Sequence, residues 1–181
     1  TSEVTDMSHM YDGALLEYET GDEVNLATAF NQPIGNWDVS NVTNMSFMFQ
    51  NANAFNQPIG NWDVSNVTDM LNMFYRATAF NQDIGNWDVS NVWDMSGMFE
   101  KALTFNQPIG NWNVRNVTDM CATFSNATSF NQDISSWDVS NVSDFEVFSK
   151  DTPLSVTNKP NFNPDHSLLH DSLRNEIERT L

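Results

Sequence analysis

The chain has 181 residues, with 24 acids against 7 bases and a net charge of −17. Hydrophobic residues make up 40% of it, enough to bury a core, and the length suits one domain with at most a small appendage. The charge argues against nucleic acid or an anionic membrane surface as main partner, no run of 18 apolar residues is present to span a bilayer, and a single cysteine excludes an internal disulfide framework or a cysteine-cluster zinc site.

From the N-terminus, VTDMSHMY at 4–11 matches VTNMSFMF at 42–49, the second half of a motif that recurs further on. An insert over 14–26 follows, carrying Glu17, Glu19, Asp22 and Glu23. Residues 1–29 hold seven acids and no base. They read as a solvated capping loop; the competing reading is an acidic recognition arm or cation site, although the spacing is not that of an EF-hand loop.

Phenylalanine then recurs at 30, 55, 80, 105 and 130, and tryptophan at 37, 62, 87, 112 and 137. Four complete units of 25 residues occupy 30–54, 55–79, 80–104 and 105–129, and a fifth begins at 130 and frays near 148. A 25-residue period is too short for propeller blades or helical hairpins and falls in the leucine-rich class. Trp37, Asp38 and Val39 alternate as in a half-buried strand, while Met45, Met48, Phe49 and Ala52 are spaced like one face of a helix. The sequence therefore predicts a right-handed, leucine-rich-repeat-like solenoid. Each coil has one short strand around 37–40 and one short helix or 3₁₀ turn around 45–52. Stacking places like on like, so the Trp, Ile and Val columns read as core.

The fifth unit loses one residue, and Asp151–Pro164 is a Pro/Asn-rich connector. Beyond it, Leu169, Leu173, Ile177 and Leu181 are spaced by four, with Asp165 or Ser167 able to cap a helix. That helix is expected to cap the open end of the solenoid, with docking onto another protein as the alternative. His166 and His170 share its face, but no third metal ligand is evident. The organisation is thus an N-terminal half-repeat with acidic insert over 1–29, a five-coil solenoid over 30–149, and a connector with C-terminal helix over 150–181.

WDVSNVTDM followed by MF, together with FNQ-x-I-G-N-W, resembles the DUF285 repeats, also described as BspA-like leucine-rich repeats of bacterial surface proteins, mycoplasma lipoproteins and various protists and algae. The resemblance covers about 4–11 and 27–148. It implies a leucine-rich-repeat-like solenoid and, loosely, surface exposure and protein contact. It supplies no catalytic residues.

The residues themselves offer little for catalysis. None of the three histidines lies in a complete repeat, and neither a P-loop nor G-x-G-x-x-G occurs. Cys121 shares a column with Ser46, Leu71 and Ser96 and has no histidine beside it in the motif, which describes a packed thiol. Stacking turns carboxylates into columns. Asp38, Asp63, Asp88, Asn113 and Asp138 form one; Asn44, Asp69, Asp94, Asp119 and Asp144 form another. Like charges stacked this way repel, so either each accepts local backbone hydrogen bonds or the acidic face binds a basic partner or Ca²⁺.

Departures from the repeat add to this. Trp93 replaces threonine in an outward column (Thr43, Thr68, Thr118), and Arg115 replaces serine in the column of Ser40 and Ser65. Arg76 and Lys101 occupy the column of Asn51 and Asn126. An outward Trp beside an Arg fits a contact surface for a partner; drift on a tolerant surface is the competing reading. Sequons at Asn41, Asn44, Asn66, Asn116, Asn126 and Asn141 coincide largely with the repeat's S-N-V-T turn.

The expected function is a non-catalytic protein-binding or surface-recognition module, without cofactor or metal, presenting an acidic laddered face. Asp38, Asp63, Asp88, Asp138, Trp93 and Arg115 are the candidate partner-binding residues. Two alternatives stay open: a structural subunit of a larger assembly, and a carbohydrate- or calcium-binding surface domain. No targeting segment is expected within these residues, and the expectation of an extracellular or cell-surface location rests on the resemblance and the low cysteine content.

Overall fold

The computed structural model describes residues 4–10, 16–17, 23–24 and 26–163. Successive 25-residue units lie side by side. Single parallel bridges join Asp6 to Asn44, Asn44 to Asp69, Asp69 to Asp94, Asp94 to Asp119 and Asp119 to Asp144.

Repetition of the same residue at the same place makes the core a set of columns. Phe55, Phe80, Phe105 and Phe130 are buried, with neighbouring rings nearly parallel and 5.9 Å apart. Phe49, Phe74, Phe99 and Phe124 run beside them at 5.4 to 5.6 Å. Within each coil the two columns meet at 4.0 to 4.1 Å. Each such ring pair adds about 0.5–1.5 kcal/mol beyond the area it buries. Trp62, Trp87, Trp112 and Trp137 are buried too. A buried indole needs an acceptor, and each finds one on the preceding coil: the carbonyls of Ile34, Ile59, Ile84 and Ile109, at 3.1 to 3.3 Å. Trp37 is only half-buried.

The local structure overturns the expectation of a leucine-rich-repeat-like solenoid with a strand and a helix in every coil. Among the described residues the strands are Leu16–Glu17 and Glu23–Val24, an antiparallel pair outside the 25-residue units, and the helical segments are short 3₁₀ turns at Leu26–Ala29 and Val156–Asn158. Residues 37–40 form no bridge. The N–H groups of Trp37 and Val42 instead close turns on the carbonyls of Ile34 and Val39. The alternation there records which turn residues are buried; it does not mark a strand.

Over 45–52, Met45, Met48, Phe49 and Ala52 are all buried, as their spacing requires. The backbone, however, is left-handed at Phe47 (φ 58°) and Asn51 (φ 57°). The pair recurs at Asn72 and Arg76, Gly97 and Lys101, Ala122 and Asn126, and Val147 and Asp151. The backbone therefore keeps its 25-residue spacing through the fifth unit, where the sequence suggested the loss of one residue, and Phe148 takes the Met48 position. A right-handed helix cannot pass through two such residues. Hydrogen bonds from Met48 to Met45 and from Ala52 to Phe49 instead close two consecutive turns, each with its positive φ at the third position, the type II arrangement. Donors that a helix would aim four residues back point sideways. Met45, Phe47, Phe49 and Asn51 donate to the carbonyls of Asp69, Leu71, Met73 and Tyr75 on the next coil, at 2.7 to 3.0 Å.

Residues 151–163, expected as a connector, close the core at their end of the stack. Leu154 and Pro160 are buried, and Asn158 accepts a hydrogen bond from the Ile134 N–H. Phe162 stacks on Phe145 at 4.5 Å and meets Phe148 edge-on at 4.9 Å. The expected helix over 165–181, with His166 and His170, lies outside the described residues, as does most of the insert at 14–26.

Candidate interaction face

Between Trp37 and Asn44 every coil sends Asp38-, Asn41- and Thr43-type side chains outward while Val39 and Val42 turn in. Three polar columns result. Asp38, Asp63, Asp88, Asn113 and Asp138 are all exposed. Each holds its Oδ1 against the backbone N–H two residues on, at Ser40, Ser65, Ser90, Arg115 and Ser140, over 3.0 to 3.4 Å. The hydroxyls of Ser40 and Ser65 also donate to Asp38 and Asp63, at 2.6 Å. Donation from the serine hydroxyl, and then from its N–H, holds Asp38, Asp88 and Asp138 below the ordinary carboxylate range. The local hydrogen-bonding role is therefore present along the whole column, and it keeps Asp38, Asp88 and Asp138 charged.

In the neighbouring column Asn66, Asn91, Asn116 and Asn141 donate their amides to the carbonyls of Ser40, Ser65, Ser90 and Arg115 on the preceding coil, at 2.7 to 2.8 Å. Three of these are sequon asparagines, so they brace the stack. In the third column Thr43, Thr68 and Thr118 donate their hydroxyls to the carbonyl one coil back, at 3.1 to 3.2 Å. Trp93 cannot do so. It keeps the backbone bonds of the column, to Thr68 and from Thr118, and is 48% exposed. Arg115, one coil further on, approaches Asp138 at 3.9 Å with both side chains largely in solvent, a pair worth little in stability. Asp138 also borders a cleft of about 470 Å³ with Trp137 and Phe162.

The second acidic column behaves differently. Asn44, Asp69, Asp94, Asp119 and Asp144 sit at the bridge positions, and each accepts the N–H two residues ahead. Burial, with the charges of Asp94 and Asp6 behind it, pushes Asp69 above the ordinary carboxylate value. Cys121 lies half-buried beside this column. Burial first, then Asp144, Asp119 and Glu146, push its thiol up to about 11, so it stays protonated near neutrality. No group of three or more His, Cys, Asp or Glu side chains able to hold a metal comes together among the described residues. Nor is any helix there long and apolar enough to cross a membrane.

Two features went unread in the sequence. The recurring Asn-Gln pair is a polar ladder: Asn31 Oδ1 accepts from the Asn56 N–H at 3.0 Å and the Gln57 amide at 2.9 Å, and the pattern repeats through Asn56, Asn81 and Asn106. Its signal was the invariance of both residues in all five units. On the opposite half of the coil, Arg76 and Lys101 lie 5.2 and 5.3 Å from the centre of the Tyr75 ring, with Lys101 paired to Glu100 at 3.0 Å.

A family model described as "Mycoplasma protein of unknown function, DUF285" matches residues 1–93 and 81–154 in two overlapping segments. The chain belongs to the DUF285 family. The two matches overlap from Asn81 to Trp93, as expected where one repeat copy can align with two parts of the family pattern. No curated protein and no solved structure matches the chain. The DUF285 description assigns no activity, so the chemistry of the face has to speak for itself.

Proposed function

We propose that this DUF285 chain is a non-catalytic recognition module, displayed outside the cell or on its surface, that binds a basic protein partner along the face carrying Asp38, Asp63, Asp88 and Asp138. The observation that carries this reading is the exposed aspartate column, in which the N–H two residues on fixes each carboxylate in orientation, and serine donors hold Asp38, Asp88 and Asp138 below the ordinary carboxylate range. Oriented charges on a stiff stack favour a partner with cations at matching intervals, because the ordering is complete before binding. Trp93 provides an apolar anchor on the same face, in the chemistry typical of interface hot spots. Arg115 stands near the end of the column and sets a boundary to its negative field.

The test is capture of partners from the native source on immobilised protein, comparing wild type with Trp93→Ala and with the double variant Asp63→Asn/Asp88→Asn. Trp93→Ala should retain the wild-type melting temperature, and the double variant should lose only a little of it, since the exposed carboxylates contribute little. Trp93→Ala should slow capture little but speed release. The double variant should slow association and weaken its salt dependence. Undiminished capture by both variants would refute the assignment of this face.

A further inference from the structure

The second half of each coil gives the stack a direction. At positions equivalent to 45, 47, 49 and 51 the backbone N–H always donates to the following coil. The two ends of this ladder are therefore unlike. At one end the N–H groups of Phe145, Val147, Ser149 and Asp151 have no acceptor among the described residues. At the other, the carbonyls of Asp6, Ser8 and Met10 have no donor among them. Unpaired backbone groups in a row are a template for another chain, and here the rows are complementary in kind.

We propose that a second copy of this chain docks head to tail on the 145–151 edge, its residues 4–10 extending the stack by one half-coil. The register follows from the bridges: Asp6 shares the column of Asn44 through Asp144. The N–H groups of Phe145, Val147 and Ser149 then meet the incoming carbonyls of Asp6, Ser8 and Met10. Three further observations fit this occupant. Val147 and Met10, one at each edge, leave apolar side chains 44% and 42% exposed. The donor edge borders a groove of about 330 Å³ lined by Phe145, Val147, Phe148 and Phe162 and flanked by Lys150 and Lys159. The incoming segment belongs to a stretch of 29 residues with seven acids and no base. Asp6 comes over Asp144, as Asp94 lies beside Asp69 within the stack.

Phe162 occupies the layer that the incoming Met7 would enter, since it lies on Phe145 at 4.5 Å. It therefore competes with the second copy and confines association to high protein concentration. The contact is heterologous and does not close on itself, so it extends to trimers and beyond rather than stopping at a dimer.

Sedimentation velocity over a concentration series tests this. The wild type should show mass rising with concentration and falling with added salt, and Phe162→Ala should shift the rise to lower concentration. Lys150→Glu/Lys159→Glu and Asp6→Lys/Met10→Lys should each be monomeric alone. An equimolar mixture should recover association, because the reversed ends match one another. A wild type that stays monomeric to its solubility limit overturns the proposal. So do charge-reversed variants that melt like wild type and still associate singly, since that points to a different surface.

Discussion

The two halves of a coil hold to their neighbours by different means. From Phe30 to Val42 the contacts between successive coils are made by side chains: the Asn-Gln ladder, the Asn66-type amide on Ser40, and the indole on the Ile carbonyl. From Thr43 to Ala52 the backbone makes them itself, through donors at Met45, Phe47, Phe49 and Asn51. This difference accounts for the pattern of variation within the repeat. Asn31, Gln32, Ile34, Trp37 and Asn41 recur unchanged in all five units. The Gln, Trp and Asn41-type side chains donate to carbonyls of the preceding coil, the Asn31-type oxygen accepts from the next, and the Ile side chain fills the core. The column of Ser46 admits Leu71, Ser96, Cys121 and Glu146, and that of Phe47 admits Asn72, Gly97, Ala122 and Val147. A backbone bond does not ask what side chain it carries.

The contrast is broken most severely at the indole. Trp87→Ala empties a buried site and orphans the Ile59 carbonyl, and should cost about 3–5 kcal/mol in urea unfolding. Leu71→Ala, in the permissive half, should stay below about 1 kcal/mol. Equal losses would show that the halves are not distinct. Next comes the polar ladder. Asn81→Ala removes the acceptor of the Asn106 N–H and the Gln107 amide, at 3.0 and 2.9 Å, and should cost about 1–3 kcal/mol. A change within experimental error would mean that water replaces the ladder at no cost.

The permissive half has its own demand, on conformation rather than identity. Val147 is a β-branched residue at φ 48°, a strained combination. Val147→Gly should raise stability by about 1 kcal/mol, since a left-handed β-carbon costs roughly that much. Gly97 is the converse: at φ 60° an added Cβ would also run into the Asn72 side-chain oxygen, so Gly97→Ala should lower stability by a similar amount. Melting temperatures of the two variants moving in opposite directions is the expected result.

The same division decides what could be read from sequence. Burial was legible, because apolar spacing reports it: Met45, Met48, Phe49 and Ala52 are all in the core. Backbone shape over those residues was not. Consecutive turns with left-handed third residues bury the same positions as one helical face, and Phe47 and Ala122 give no glycine signal of φ > 0. The bridge was expected near 37–40 and falls at 44, where a turn-favouring residue conceals it. Of the candidate face, the Asp38 column and the outward Trp93 were visible as columns and as an exception to one. The serine hydroxyls that orient the aspartates follow from S two places after D in the motif. The Asn-Gln ladder needed coordinates, because its partners lie 25 and 26 residues away.

The finest distinction lies between half-buried Asp69 and the serine-held aspartates of the exposed column, and pH separates them. Asp38, Asp88 and Asp138 are held below the ordinary value of 3.8 by serine donors. A carboxylate depressed in the folded state contributes stability above its unfolded value, and that contribution is lost as pH falls through the folded one. Asp69 is shifted the other way, by burial and then by Asp94 and Asp6. Its charged form is disfavoured in the fold, so it subtracts stability near neutrality and stops doing so as pH falls through its raised value. Melting temperature should therefore rise slightly on mild acidification and then drop below 3.8. Asp69→Asn copies Asn44 in the same column and keeps the Oδ1 acceptor for the Leu71 N–H. It should raise neutral stability by up to about 1 kcal/mol and abolish the mild-acid rise. Asp88→Asn should leave the rise intact and soften only the acid drop. If both variants flatten the same part of the curve, the two kinds of aspartate titrate as one field, and the separation drawn between an exposed, serine-held face and half-buried Asp69 fails.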